Sequence, residues 1–479
     1  MTRGIAAWGA YLPRRRLARA AVAEALAWRN QGGGRARGER SFANWDEDSL
    51  TMAVEAARDA LGERDRSAVE SVALASTTLP FADRSNAGLV AAALSLPTGV
   101  RTQDLGGSQR AATSALIESL CGPLARPRLL AAADRRRTRA GSNEELAYGD
   151  GAAALLVAAD AVVAEFLGSA SETAELVDHY RSAEATTDYT LEDRWVRSVG
   201  HLGLVPPVIQ RLLAEIGAPG SAIRHLACAL PAASSRQIAK QVGCAPEAVI
   251  DPLDERCGHT GCAHPLLLLG AALERAAPDE LILVVGFGQG VDVLAFRATA
   301  ALTAARPRRG VAGALGGGLT DHAYVRFLSH GGALEMDWGM RAERDNRTAQ
   351  SAYYRRHADL SGFVGGRCRR CGTVQFPRAG ACVNPECRAL GPQDEAPLAE
   401  LGGRVKTYTE DWLAFTPGPP LVYGNVALDG GGNVFAEFTD VDAGELAVGA
   451  PVRFVFRIKD FDRLRSTHRY FWKAAPQGR

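Results

Sequence analysis

Four of the nine cysteines fall between Cys368 and Cys387, and their spacing constrains this chain more than any other feature. Cys368 and Cys371 form a C-x2-C pair, and after ten intervening residues Cys382 opens a second pair, closed by Cys387 after four more. Tetrahedral thiolate coordination of zinc needs four sulfurs at about 2.3 Å from the ion, and paired cysteines on tight turns supply that geometry. The spacing predicts a structural zinc site with no open position for catalysis. Cys121, Cys228, Cys244, Cys257 and Cys262 are dispersed through the preceding residues. The opening MTRGIAAWGAYLPRRR has no long apolar stretch before its arginines, and no run of about 18 apolar residues occurs elsewhere. A cytoplasmic location without a membrane segment is expected, and there disulfides are rare and a metal is the expected use of a cysteine cluster.

At 479 residues the chain is long enough for two or three domains, and 47% hydrophobic against 23% charged residues is a globular balance. The net charge of +1, from 55 Lys+Arg and 54 Asp+Glu, gives no global field toward nucleic acid or anionic lipid. Residues 1–305 alternate apolar strands with amphipathic helices, as in SVALAST at 71–77 and VIQRLLAEI at 208–216, which predicts a layered α/β domain. Two glycine-rich turns feeding apolar strands, YGDGAAALLVAA and VVGFGQGVDVLAFRA, punctuate it similarly and suggest a duplicated unit. Residues 306–346 lack a clear period and read as a linker, 347–395 as a helix plus zinc ribbon, and 396–479 as short alternating strands of a small β-barrel.

The segment GGRCRRCGTVQFPRAGACVNPEC, the barrel behind it and the ending HRYFWKAAP resemble the zinc-ribbon/OB-fold proteins that accompany thiolases and HMG-CoA synthase-like proteins. The resemblance covers about 120 residues and implies a rubredoxin-like ribbon and an OB fold that dock partner enzymes and help house acyl-CoA. OB barrels and zinc ribbons also bind nucleic acid. From Arg347 onward, however, 18 Lys+Arg against 14 Asp+Glu give only +4 with no dense basic stripe, a poor electrostatic footprint for a polyanion.

The motifs WDEDSLTMAVEAARDAL, YGDGAAALLV and GHTGCAHPLLLLGAAL occur in an order that resembles HMG-CoA synthase and the initiating 3-oxoacyl-carrier-protein synthases over about 300 residues. The resemblance implies a five-layered αβαβα thiolase fold, a homodimer, and CoA or carrier-protein thioesters as substrates. Such chemistry asks for a nucleophilic thiolate, donors for the thioester oxyanion and a base. DLGGSQRAATSAL matches the family's nucleophile segment and puts Gln109 at the cysteine's place, and no cysteine occurs before position 121. An amide cannot form an acyl-enzyme. Adjacent Ser108 reads as a helix cap. Pro231 falls where the family has a histidine, and Thr77, near Asp83, where HMG-CoA synthases have an acid. His259, in Gly258-His259-Thr260 where the family has G-N-T, is either catalytic or a structural turn residue. Cys121 reads as a buried small hydrophobe, and Cys257 and Cys262 as packed thiols that could also face the pocket. The arginine runs 14–16 and 135–139 read as solvated faces or as contacts to CoA phosphates. No glycine motif supports a nucleotide cofactor.

The expectation is an acyl-CoA-binding, thiolase-like subunit with a degenerate site at Gln109 and His259. It would be a non-catalytic component of an acyltransferase complex, scaffolding a separate thiolase in acyl transfer or retro-Claisen thiolysis of a β-ketoacyl-CoA. The alternatives are a self-sufficient decarboxylase or retro-Claisen/aldol lyase working without an acyl-cysteine, and a nucleic-acid-binding OB/zinc-ribbon protein.

Overall fold

The structure, a computed structural model, describes residues 2–29, 37–190, 192–305, 307–338, 349–391, 393–462 and 464–477. Two compact units divide the chain. The first is Met1–Asn44, Asp48–Gly88 and Pro97–Ala333, and the second is Trp45–Glu47, Leu89–Leu96 and Leu334–Arg479.

Nine strands of the first unit form one mixed sheet: β1 (Gly4–Tyr11), β2 (Ser71–Ala75), β3 (Arg101–Leu105), β4 (Arg128–Asp134), β5 (Gly151–Ala158), β6 (Ala164–Thr173), β7 (Ile223–Cys228), β8 (Leu281–Phe287) and β9 (Gly290–Ala298). Their order is β7-β8-β9-β6-β1-β5-β4-β2-β3. The helices that pack on it are α1 (Ser49–Leu61), α2 (Ala111–Cys121), α3 (Val205–Glu215), α4 (Ala232–Val242), α5 (His264–Arg275) and α6 (Gly310–Gly316).

The two halves of this sheet repeat. In the first, β1 pairs antiparallel with β5, β5 antiparallel with β4, and β4 parallel with β2. In the second, β6, β9, β8 and β7 repeat that order and those directions. The ladder between the halves is short, pairing Gly4 with Glu165 and Ile5 with Ala164. The sheet can therefore fold over, and α2 and α5 lie between its halves: α2 touches β4 and β9, and α5 touches β5, β7 and β8. With α1 on β1, β4 and β5 and α3 on β6 and β9, the layers are αβαβα. Leu116 and Leu120 of α2, Leu267 and Leu268 of α5, Leu155 and Leu294 form part of the central core. Strands covered on both faces read as continuous apolar runs, as GIAAWGAY and GAAALLVA do. The start of α1 is fixed by a capping box: Thr51 N donates to Asp48 Oδ1 at 2.9 Å, and Asp48 N donates to Thr51 Oγ1 at 2.9 Å.

Of the stretch read as a linker, residues 307–333 are folded. Val311 and Ala314 of α6 join the central core, and the first backbone N–H groups of α6 are satisfied from neighbouring elements. Arg309 N and Gly310 N donate to Asp59, and Val311 N and Ala312 N donate to Glu274. The helix Tyr324–His330 buries Tyr324 and Phe327 with Leu17 and Phe42. Neither helix shows a long apolar period, because tertiary partners rather than their own sequence hold them. Residues 339–348 of the expected linker lie outside the described residues.

The second unit holds short helices at Gln350–Arg355 and His357–Leu360 and then a three-stranded ribbon of Val374–Gln375, Val364–Cys368 and Gln393–Pro397. Behind it come β10 (Gly403–Asp411), β11 (Leu421–Leu428), β12 (Asn433–Glu437), β13 (Pro451–Asp462) and β14 (Thr467–Pro476), in the order β12-β11-β10-β13-β14. A bridge between Phe438 and Ala474 closes these strands into a barrel. Phe363, Phe454, Phe456 and Trp472 fill it, and the buried Trp472 indole N–H donates to Ser361 O at 2.7 Å. Trp412 and Leu413 are exposed on this unit.

Candidate functional site

Because the halves repeat, the residues leading into the two central helices converge. Gln109 stands just ahead of α2, and the turn Gly258–Ala263 leads into α5. They face a cavity of about 640 Å³, which Tyr148, His179, His201, His259 and Phe287 also line.

The turn is set by two glycines with positive φ, Gly258 at 77° and Gly261 at 63°. A Cβ at Gly261 would lie 2.1 Å from Asp134 Oδ2, so no other residue fits there without displacing a buried carboxylate. His259 N donates to Ala147 O at 2.9 Å, and Gly149 N donates to His259 O at 3.0 Å. The His259 Nδ1 lone pair faces the Gly261 N–H at 3.2 Å and Arg136 Nη1 at 3.4 Å. The ring proton therefore sits on Nε2, 3.4 Å from Ala229 O. Burial first, then the His264 ring 4.2 Å away and Arg136, hold the His259 pKa well below the usual range. His259 is thus a neutral N–H donor facing the cavity.

Gln109 is buried, and its side chain meets Arg136 and His179. With the amide oriented to suit them, its oxygen accepts from Arg136 Nη2 at 2.9 Å and His179 Nε2 at 2.7 Å. Arg136 lies over the Tyr148 ring at 3.5 Å and donates to Asp188 Oδ2 at 3.2 Å. Burial works against its charge, but Tyr148, Asp188 and Asp134 outweigh that and raise its pKa. One guanidinium thereby ties Gln109 to His259. On the other edge of the His179 ring, Nδ1 lies 3.1 Å from Asp178 Oδ2.

Pro231 lines the cavity, and a histidine from a different element faces it too. His201, on the π-helical stretch Val196–Leu204, has Nδ1 3.1 Å from Ser234 Oγ and packs edge-on to Phe287 at 4.9 Å. Burial lowers its pKa to about 4, so it is neutral at pH 7. Asp178, His179 and His201 escaped the sequence reading because no motif marks residues 174–204, and Arg136 belongs to a run that reads either as a solvated face or as a contact to CoA phosphates.

Thr77, Asp83, Ser108 and the dispersed cysteines do not line this cavity. Thr77 donates through N and Oγ1 to Asp134 Oδ1 at 2.8 and 3.1 Å, and Asp134 Oδ2 accepts from Cys262 N at 2.7 Å. Asp83 is exposed. Ser108 Oγ accepts from Arg110 N at 3.3 Å and donates to Gly288 O at 2.7 Å. Cys257 and Cys262 are buried, and neither lines the cavity. Burial pushes the Cys257 thiol up to about 12, and burial with Asp134 raises that of Cys262 well above its usual range. Cys121, expected to be buried, is exposed on the last turn of α2. The arginine runs are not uniformly solvated: Arg16 is buried and donates to Ala314 O at 3.0 Å, and Arg136 is built into the site.

In the second unit the Sγ atoms of Cys368, Cys371, Cys382 and Cys387 all lie within 4.8 Å of one another. Cys368 to Cys387 is 3.9 Å and Cys371 to Cys382 is 3.6 Å. A tetrahedron with Zn–S bonds of about 2.3 Å has S···S edges of about 3.8 Å, so these residues fit a structural zinc. Each knuckle is closed by backbone, Gly372 N to Cys368 O at 2.9 Å and Cys387 N to Asn384 O at 3.0 Å. Among the described residues no helix is long and apolar enough to cross a membrane.

The first unit thus has a thiolase-like fold, and it is joined to a zinc ribbon and an OB-fold barrel. Residues 356–392 match the family described as ChsH2, rubredoxin-like zinc ribbon domain, and residues 396–457 match ChsH2, C-terminal OB-fold domain. The hydroxymethylglutaryl-CoA synthase of Methanopyrus kandleri is 28% identical over 305 residues, 61% of this chain and 86% of that protein. That of Caldivirga maquilingensis is 29% identical over 323 residues, 62% and 87% of the two chains. Among solved structures, 3-oxoacyl-(acyl carrier protein) synthase III from Pseudomonas aeruginosa PAO1 superposes with a TM-score of 0.55 at 23% identity, covering 62% of this chain and 99% of that one. The HMG synthase of the curacin biosynthetic pathway gives 0.61 at 18% identity, covering 71% and 92%. Over about 61% of its length the chain is thus similar to hydroxymethylglutaryl-CoA synthases, and behind that stretch it matches the ChsH2 zinc-ribbon and OB-fold domains.

Proposed function

We propose that this chain is a CoA-thioester-binding component of a thiolase-type acyltransferase that forms no acyl-enzyme of its own. In this reading it works in the cytoplasm as a homodimer beside a separate thiolase, which its zinc-ribbon and OB-fold domains dock. One observation carries it. Gln109 stands ahead of a central helix where relatives of this fold are expected to carry their nucleophile, and its amide is held by Arg136 and His179. The nearest thiols, Cys257 and Cys262, are buried, protonated and off the cavity. The acyl-accepting group must then come from elsewhere. Incubation with acetyl-CoA or acetoacetyl-CoA followed by intact-mass measurement should show no adduct. A stoichiometric acyl increment on Ser108, Cys257 or Cys262 would end this reading.

A second reading, in which the chain itself makes or breaks a C–C bond next to a thioester without an acyl-cysteine, is favoured by the three imidazoles of His179, His201 and His259 around the same cavity. Turnover of a CoA thioester by the purified chain alone separates the two.

A further inference from the structure

His179 opens the short strand pair His179–Tyr180 and Tyr189–Thr190, and its ring meets an acceptor on each edge. Asp178 Oδ2 faces Nδ1 at 3.1 Å and the Gln109 oxygen faces Nε2 at 2.7 Å, so both ring N–H groups donate. The Gln109 oxygen that faces Nε2 is an acceptor only, as is the Asp178 carboxylate that faces Nδ1. The other two imidazoles of the cavity differ. His201 and His259 are held neutral by burial, and the backbone and Arg136 fix His259 with its proton on Nε2. Among the described residues the His259 Nε2–H has one long contact, 3.4 Å, to Ala229 O, and so is available to an incoming oxygen.

We propose that His179 is the proton carrier of this cavity, moving a proton to and from the α-carbon of a bound CoA thioester. Asp178 is its positioning residue, and His259 is the donor to the thioester oxygen. This rests on the thioester-binding reading above. When a thioester enolate is protonated, the Nε2–H bond of His179 breaks and the enolate electron pair forms the Cα–H bond. The thioester carbonyl is restored, and the ring is left neutral with Nδ1–H on Asp178. In the reverse direction the Nε2 lone pair takes the Cα proton, and the negative charge moves to the oxygen that His259 Nε2–H contacts. No other reactant is consumed, and the transferred proton exchanges with water.

The test uses the full-length protein and acetyl-CoA in D2O, reading deuterium uptake into the acetyl methyl by mass spectrometry and acetyl-CoA binding by calorimetry. The wild type should catalyse uptake. His179→Gln should keep its melting temperature and its affinity while uptake falls by about 10²-fold or more, the range for loss of a proton-transfer group. Asp178→Asn should slow uptake at unchanged affinity, with Asp178→Glu recovering part of the rate, a pattern that a merely structural role would not give. Equal uptake in His179→Gln and wild type overturns the proposal, as does a wild type that binds acetyl-CoA without exchanging it. A wild type that does not bind acetyl-CoA at all overturns the thioester-binding reading, and the proposal falls with it.

Discussion

Asp254 lines the cavity near the start of α4, where its carboxylate accepts from Ala232 N, and burial raises its pKa from 3.8 to about 6. A carboxyl with a raised folded-state pKa binds its proton more tightly in the native state. Its ionisation therefore costs stability as pH rises from about 4 through 6, and the full penalty is present above that. With partial solvent screening the cost is about 2 kcal/mol. Asp254→Asn keeps an acceptor for Ala232 N and should stabilise the protein by that amount at pH 7.5, with the gain fading by pH 4. Urea midpoints across this range check it, and a gain that does not change with pH would show that the charge is not the cause. The buried His201, His259 and His264 behave in the opposite sense. His264, fully buried, has a pKa lowered to about 4 by burial, so its contribution is lost as pH falls from 6.5 through 4.

At the scale of elements, the two knuckles of the ribbon are joined through the four sulfurs, and the ribbon strands contribute few buried apolar residues of their own. Small units of this kind draw folding free energy from the metal. The purified protein should hold about one zinc per chain, and Cys371→Ser should lose it and expose residues 347–395 to proteolysis. Metal analysis with limited digestion reads both. Full zinc retention would mean that the ligand set is wrong. The same scale explains the cavity: α2 and α5 are equivalent helices of the two halves, and their entry segments bring Gln109 and His259 together although 150 residues separate them. Arg136 then bridges the two, with Nη2 on the Gln109 oxygen and Nη1 on His259 Nδ1.

At the scale of the whole molecule, the docking reading predicts that the second unit is what retains a partner thiolase. Truncation near position 346, co-expression of each half with that thiolase, and thiolysis of a β-ketoacyl-CoA provide the check. The C-terminal half should co-purify with the thiolase, and the N-terminal half alone should not turn over substrate. Full turnover by the N-terminal half alone would replace the scaffold with a self-sufficient enzyme. The layered fold, the four-cysteine cluster and the barrel were legible because each is written locally: apolar runs of strand length, cysteine spacing, and short alternating strands between turns. Gln109 and His259 were legible through motifs on the segments entering α2 and α5. His179, His201 and Arg136 were not, because a residue on an unmarked loop becomes part of a site only when the chain folds back on itself. The helices at 310–316 and 324–330 were hidden for a related reason, since Asp59, Glu274 and Phe42 hold them and lie far away in sequence. The sequence by itself determined which local structures this chain can form and which metal its ribbon is built for. The tertiary structure alone decided which side chains share the cavity and which nitrogen of His259 carries its proton, because hydrogen-bond partners and burial are properties of the packed molecule.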